Sequence, residues 1–256
     1  LGEEVNIKAA NKDLHSGLYG GTAVNPIREL ARLITSLHDK NGRVTINNFY
    51  KGVYDLPKGI INQWSNLNFS SEKFLGNVGL NTSSGEQPYS LLEQIWCRPT
   101  CEINGIYGGY IANGFKTVIP SEANAKISFR LVGDQDPEEI RIEFREHMRK
   151  NLHRDCKIKF SAKDGSRAIS VSQNSSVVKA AQKALSDEWG VKPVFAGCGG
   201  SIPVVSSFKE TLGLDTLLVG FSLEDDQIHS PNEKYDIRSY LKGSKSWIRI
   251  IHEITG

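Results

Sequence analysis

The chain has 256 residues, of which 39% are apolar and 23% charged, a composition typical of a soluble protein with one large or two small cores. The net charge is only +2, from 31 basic and 29 acidic residues, and no long basic run occurs, so nucleic-acid binding is not expected. There is no apolar run of about 18 residues and no signal peptide, so no membrane partner is expected either. The chain begins with Leu1 rather than Met, close to a predicted strand, and we expect it to be a piece of a longer protein.

The cysteine pattern does not indicate a metal site. No two cysteines form a C-x-x-C pair, and no histidine lies near them at zinc-finger spacing. We therefore expect reduced thiols, most of them buried, in a cytoplasmic protein. The four cysteines are Cys97, Cys101, Cys156 and Cys198.

The first part of the chain alternates predicted strands and helices. Residues 4–10 are predicted to form a strand, which leads into a glycine-rich turn at residues 13–21. Residues 24–38 place their apolar side chains on one helical face, with Pro26 suited to the first turn, and predict a helix. Residues 44–46 then predict a short strand.

The next stretch, residues 51–95, differs in composition because Asn, Ser, Gly and Pro are scattered among short apolar pieces. We interpret it as an insertion that contains one or two short helices. Strands are predicted again at residues 98–105 and at residues 123–132, where apolar and polar side chains alternate. Asp136 is a strong N-cap for a second helix, and residues 156–160 predict the next strand.

These elements indicate a split β-α-β layout, in which two strand–helix–strand units share one antiparallel sheet. We therefore predict an α+β, ferredoxin-like domain that carries both helices on one face of its sheet and contains an insertion. Turn-forming residues between 162 and 174 mark its end.

The last part of the chain resembles the end of an α/β domain. A helix is predicted from about residue 177 to Trp189, a short helix at residues 204–209, and a buried parallel strand at the apolar residues 216–221. Two strands cannot bury both faces of such a sheet by themselves. A last helix is expected to pack through its apolar positions, which are Ile237, Leu241, Ile248 and Ile251.

Two glycine-rich turns carry groups that could act chemically. His15 lies in the first, where rigid flanking elements could aim its imidazole at a group outside its own domain. The alternative is a surface histidine in a glycine-rich loop. The second turn contains Gly200 and Ser201 and precedes a short helix, whose first amides suit a carboxylate or another anion. Here the alternative is a close-packed turn with Ser201 as N-cap.

Two further residues are candidates. His229 follows an apolar segment and three acidic residues, in a loop where α/β domains place their sites, so it could be a metal ligand or a surface histidine. Arg130 lies on the polar side of a predicted strand. Its guanidinium could bind a substrate carboxylate through two hydrogen bonds, or could form a surface ion pair of little energetic value.

Five segments together resemble one family. Residues 12–21, 116–120, 127–132, 199–204 and 229–234 are similar, in the same order, to motifs of the carnosinase-type dipeptidases. These are di-zinc metallopeptidases related to acetylornithine deacetylase and succinyl-diaminopimelate desuccinylase. The five matches span nearly the whole chain and are specific to the family, though not to one substrate.

The resemblance implies a catalytic α/β domain with two zinc ions, interrupted by an inserted lid domain that also forms a homodimer. Residues 4–165 resemble that lid. Residues 1–3 and 166–256 resemble segments of the catalytic domain, whose N-terminal half is absent.

The same resemblance implies roles for the candidate residues. His15 would reach into the partner subunit's site and stabilise the tetrahedral oxyanion. Thr117 would help to bind the substrate from the same side. Arg130 and the Gly200–Ser201 turn would hold the terminal carboxylate of the substrate, and His229 would be a zinc ligand.

The chain departs from the family pattern in two ways. The other zinc ligands and the Glu general base of the family lie upstream of the lid and are not in this chain. A zinc site needs three or four ligands, so we expect this chain alone to bind no catalytic metal and to hydrolyse nothing. In addition, Cys198 stands where the family's amine-binding dipeptidases carry Glu, so strict dipeptide specificity is not implied.

The intact protein is therefore predicted to be a zinc-dependent dipeptidase or amidohydrolase. It would hydrolyse the amide bond of a dipeptide or an N-acyl amino acid with a water activated between two zinc ions. A deacylase of N-acyl amino acids would need no amine pocket and is one alternative. The other is an autonomous dimerisation or interaction module without catalytic activity.

Overall fold

The computed structural model describes residues 1–199 and 202–255. Within them the chain divides into two compact units, the first formed by residues 1–168 with 197–199, the second by residues 169–196 with 202–255. No helix in these described ranges is long and apolar enough to span a membrane.

The first unit is built on a four-stranded sheet. Its strands are β1 (Gly2–Lys8), β3 (Thr100–Gly108), β5 (Glu122–Arg130) and β6 (Lys157–Lys163). The spatial order is β3-β5-β1-β6, and every neighbouring pair is antiparallel. These strands lie within a few residues of the four longer ones predicted from the sequence. Two very short strands, β2 (Leu14–His15) and β4 (Val118–Ile119), pair separately.

Two helices pack against one face of the sheet, α2 (Pro26–Thr35) and α6 (Pro137–Asn151). Both begin at side-chain caps: Asn25 Oδ1 accepts a hydrogen bond of 2.9 Å from the Ile27 amide, and Asp136 Oδ1 accepts one of 2.8 Å from the Glu138 amide. In each helix a proline occupies the first turn, where its missing N–H is not needed. The cap and proline pattern that predicted the second helix is therefore confirmed.

The core of this unit lies between the sheet and the two helices. Alternate residues of β5 are buried there, and Phe129 packs edge-on against Phe144 of α6, with ring centroids 5.3 Å apart. Leu30 and Leu33 of α2 are also fully buried. The opposite face of the sheet carries polar side chains, as the alternation predicted.

Two sequence predictions for this unit need correction. Residues 44–46 are not a strand, since Val44 forms only an isolated bridge with His38, which lies after the end of α2. The buried side chains of Val44 and Ile46 fill the core instead, which explains why the segment is apolar. The insertion holds three short helices rather than one or two, namely α3 (Lys58–Ser65), α4 (Ser71–Gly76) and α5 (Leu91–Trp96).

The second unit is helical in its described residues. It contains α7 (Ser176–Trp189), α8 (Pro203–Leu212) and α9 (Ile237–Thr255). Ala181 and Ala184 of α7 pack against Ile250 of α9. The strand predicted at residues 216–221 is not formed, because a strand needs a hydrogen-bonded neighbour and the described residues of this unit provide none.

The predicted packing face of α9 is also wrong. The four apolar positions named for it are exposed, and the face turned toward the rest of the unit is lined by small residues instead. Small residues allow the helix backbones to approach closely, so they determine which side packs. The buried positions are Ser239, Gly243, Ser246 and Ile250. The exposed apolar positions are Ile237, Leu241, Ile248 and Ile251.

Candidate functional site

His15 is positioned by backbone pairing. The strand β1 ends at Lys8, and after a short loop the two residues of β2 pair with β4, so that His15 lies opposite Val118. The Ser16 amide donates a hydrogen bond of 3.0 Å to the Thr117 carbonyl. His15 therefore lies on a short, hydrogen-bonded segment, beside Thr117.

The loop between Lys8 and His15 is tied to the beginning of β5. Asp13 Oδ1 accepts hydrogen bonds from both the amide and the hydroxyl of Ser121, at 2.8 and 2.9 Å. The Ala9 amide donates to the Ser121 carbonyl at 2.9 Å. Sequence reasoning missed this anchor because Asp13 and Ser121 are 108 residues apart.

The imidazole of His15 is exposed and makes one hydrogen bond to its own turn. The Gly17 amide donates to Nδ1 at 3.0 Å, so His15 caps the four-residue helix α1 (Ser16–Tyr19). Large apolar side chains in this turn, and in the segment of chain that leads to Thr117, are exposed. Leu18 and Tyr19 belong to the turn, and Ile111 and Phe115 to that segment, where Phe115 comes two residues before Thr117.

Arg130 lies at the other end of the sheet. It is the last residue of β5 and pairs with Thr100, whereas His15 and Thr117 lie beyond the first residue, Glu122. A strand rises about 3.4 Å per residue, so the nine residues of β5 separate the two ends by about 27 Å. The structure thus brings His15 and Thr117 together and keeps Arg130 away from them within one protomer.

The candidates in the second glycine turn and beyond are harder to place. Gly200 and Ser201 lie outside the described residues. His229 is exposed in a turn, with a left-handed backbone (φ 62°). Across residues 1–199 and 202–255, no three His, Cys, Asp or Glu side chains are grouped so that they could hold a metal ion.

The turn that carries His229 is fixed by Asp226. This carboxylate is buried, accepts a hydrogen bond of 2.8 Å from the Leu223 amide and lies 3.0 Å from Lys234 Nζ. The hydrogen bond from the Leu223 amide, and to a smaller extent that from Lys234, hold the pKa of Asp226 below its usual value. Asp226 therefore acts as a charged anchor of the loop rather than as a proton donor.

The four cysteines are free thiols, with Cys101 and Cys156 buried, Cys97 half-buried and Cys198 exposed. Burial raises the pKa of Cys97 to about 11 and that of Cys101 to about 12. These two thiols are therefore neutral and unreactive at neutral pH.

The family of the chain follows from comparison with known proteins. Residues 4–156, more than half of the chain, match the model of the M20 peptidase dimerisation domain. The chain therefore belongs to the M20 peptidases. This range includes β3, β5 and most of β1, together with His15, Thr117 and Arg130, and it ends just before β6.

Individual relatives are metallodipeptidases. The chain is 32% identical over 257 residues to the Cys-Gly metallodipeptidase DUG1 of Candida albicans, covering 97% of this chain and 52% of the relative. It is 27% identical over 252 residues to the human Beta-Ala-His dipeptidase, covering 94% and 48%. The chain thus spans about half the length of these curated relatives.

Solved structures show the same architecture. The structure of the dipeptidase Dug1p from Saccharomyces cerevisiae superposes with a TM-score of 0.80 at 28% identity, covering 98% of this chain and 53% of the other. Human carnosine dipeptidase 1 superposes with a TM-score of 0.78 at 25% identity, covering 98% and 54%.

Proposed function

We propose that the chain is the lid domain and the following catalytic segment of a homodimeric metallodipeptidase whose active site is shared between two subunits. The separation of Arg130 from His15 and Thr117 supports this proposal most directly. A dipeptide is only about 7 Å long when extended. It cannot contact both ends of a sheet about 27 Å long.

A two-fold symmetric dimer would allow residues from both ends of the sheet to contact one substrate. In an isologous dimer, the end of one sheet that carries His15 can approach the end of the partner's sheet that carries Arg130. The exposed apolar residues near His15, such as Leu18 and Phe115, fit a surface that another copy covers. The M20 dimerisation-domain match supports the same assembly.

We propose the following roles in that shared site. Arg130 holds the terminal carboxylate of the substrate through two charge-assisted hydrogen bonds, together with the turn at Gly200 and Ser201. Thr117 binds the substrate from the same side as His15. His15 donates a hydrogen bond to the oxyanion that forms when the amide carbonyl is attacked.

The described residues of this chain do not form a zinc site by themselves, since His229 has no grouped ligands beside it and three or four are needed. In the intact enzyme we propose two zinc ions that activate the attacking water, with His229 as one ligand and the others supplied upstream. The isolated chain should accordingly hydrolyse nothing.

Dipeptides and N-acyl amino acids are the proposed substrates. The relatives act on Cys-Gly and Beta-Ala-His, as their names state, which favours dipeptides. Cys198 favours the second candidate function, a deacylase of N-acyl amino acids, because an exposed thiol offers no carboxylate to a substrate amine. Turnover of a dipeptide and of its N-acetyl analogue by the intact enzyme separates the two.

Three further assignments belong to the same proposal. The first unit is proposed to be ferredoxin-like, which its antiparallel strand order supports. The lid is proposed to occupy residues 4–165, with residues 1–3 and 166–256 in the catalytic domain. The location is proposed to be cytoplasmic.

Subunit mixing tests the shared site. In the intact, zinc-loaded enzyme, His15→Ala should lower kcat about 100-fold, as expected for a lost oxyanion donor. Arg130→Ala should lower kcat/KM by a similar factor, because the substrate binds more weakly. Mixing the two variants should restore about a quarter of the wild-type activity, because half of the dimers are mixed and each mixed dimer has one complete site.

The control is each variant mixed with itself. Affinity tags that differ between the two variants establish that subunits exchange, because only a mixed dimer carries both tags. A mixture as inactive as its components would refute a shared site and would place both residues in one protomer. An active His15→Ala enzyme would instead leave a dimerisation module as the better description of this chain.

A further inference from the structure

Gly17 lies against the imidazole of His15, and its own backbone conformation does not require a glycine at this position. The residue lies inside the short helix α1, where its backbone is not left-handed, so any L-residue could adopt its conformation. A Cβ atom built at Gly17 would lie 2.9 Å from Cε1 and 3.2 Å from Nδ1 of His15. Glycine is therefore needed to make room for the imidazole.

The Gly17 amide also determines the hydrogen-bonding role of one ring nitrogen. Its N–H donates to Nδ1 of His15 at 3.0 Å. A nitrogen that accepts a hydrogen bond cannot carry a proton, so the neutral ring must carry its proton on Nε2. Nε2 is then a hydrogen-bond donor, and it is the nitrogen that the turn does not occupy.

We infer that Gly17 is the positioning residue of His15, which holds the imidazole as its Nε2–H tautomer and fixes the ring orientation. The amide selects the tautomer, and the missing side chain lets the ring lie against the turn. The value of this tautomer for catalysis rests on the proposed function, because only an Nε2–H ring can donate to an oxyanion at that nitrogen. The tautomer itself can be measured without any activity.

Long-range ¹H–¹⁵N spectra of the chain labelled with ¹⁵N-histidine test the inference. In the wild type at neutral pH, His15 should show a protonated Nε2 and an unprotonated Nδ1, with little averaging. The exposed His252, whose ring forms no hydrogen bond with the residues that the structure describes, is the internal reference for a ring that averages its tautomers in water. Equal averaging at His15 and His252, or a proton on Nδ1 of His15, would overturn the inference.

Two substitutions show whether Gly17 is responsible. Gly17→Ala keeps the amide but places a methyl group against the ring, and it should move the His15 signals toward those of His252. Gly59→Ala is the matched control, since Gly59 is also helical and a Cβ there meets nothing within 4 Å. Unchanged His15 signals in Gly17→Ala, with a folded spectrum, would also overturn the inference.

Kinetics of the intact enzyme separate this inference from the proposed function. Gly17→Ala should lower kcat at least tenfold and leave KM nearly unchanged, because the ground-state contacts of the substrate remain. A lost tautomer with an unchanged kcat would confirm the positioning role and refute His15 as the oxyanion donor.

Discussion

The two units of the chain differ in how far their large apolar side chains are buried. In the first unit, Phe129 and Phe144 are at most 1% exposed, between a complete sheet and two helices. In the second, Ile237 is 75% exposed and Ile248 69% exposed along one side of α9. The first unit therefore has a closed core of its own, whereas the second leaves most of the apolar surface of its last helix in contact with water.

The difference lies in which partner elements are present. All four strands of the larger sheet of the first unit have hydrogen-bonded neighbours, so this sheet offers a continuous apolar face to α2 and α6. In the second unit, residues 216–221 have the composition of a buried strand, but the described residues include no strand beside them. An exposed apolar surface of this kind is typical of a surface that another element or another copy covers.

The largest expected effect is in the core of the first unit. Phe144→Ala should lower the free energy of unfolding of this unit by about 4 kcal/mol, since a fully buried ring is removed and a cavity remains. Ile142→Ala is the control on the same helix, where the side chain is 57% exposed. Its expected cost is below about 0.5 kcal/mol.

Hydrogen exchange of amides in β1 and β5 measures both values, because these central strands open only when the unit unfolds. Equal costs for the two variants would show that the first unit is not closed around Phe144, and the comparison between the units would fail.

Neighbouring isoleucines of α9 test the second unit in the same way. Ile250 is 1% exposed and packs on α7, so Ile250→Ala should cost about 2 kcal/mol, at the low end for such a residue because its cluster is small. Ile251 is 59% exposed, and Ile251→Ala should change stability by less than about 0.5 kcal/mol.

Amide exchange in α7 and α9 is the measurement. A large cost at Ile251 would mean that its face is covered in solution, by another copy or by a segment not described here. Repeating the measurement at several protein concentrations identifies self-association, because only that contribution depends on concentration.

Local patterns of the sequence predicted most of the first unit. The alternation of Ala125, Ile127 and Phe129 fixed a strand and its buried face, and the Asp136 cap fixed the beginning of α6, because both signals act over a few residues. Glu3 could not be predicted as buried, since its position in the core depends on Arg141 and Arg145, about 140 residues away, which pair with its carboxylate.

The candidate site shows the same difference between local motifs, which the sequence reveals, and the arrangement of distant residues, which it does not. The resemblance predicted site roles for His15, Thr117 and Arg130, but only the strand pairing showed that the first two lie together and the third at the far end of the sheet. In the second unit the periodicity of α9 predicted the wrong face. The prediction assumed that the apolar side of the helix is the side that packs. In this chain the packed side of α9 is instead lined mostly by small residues.

The smallest expected losses of stability come from removing one helix cap in each unit. Asp136 caps α6, and Asp236 caps α9 by accepting a hydrogen bond of 2.7 Å from the Arg238 amide. Asp136→Ala should cost about 1 kcal/mol in the first unit, and Asp236→Ala should cost about as much in the second. Each cost should be visible mainly in the amide exchange of the unit that contains the cap.

The Asp136 cap should also be pH-dependent. The amides of Glu139 and Glu138, together with Arg167, hold the pKa of Asp136 below its ordinary value, so the folded state favours the charged form. The resulting stability is present above the unfolded-state pKa of about 4 and is lost as the pH falls through the lower folded-state value. Asp136→Asn keeps a capping oxygen but has no charge to lose, so its stability should vary less with pH than that of the wild type below about pH 4. If both proteins lost stability in parallel on acidification, the charge on Asp136 would contribute nothing to the closed core that distinguishes the first unit.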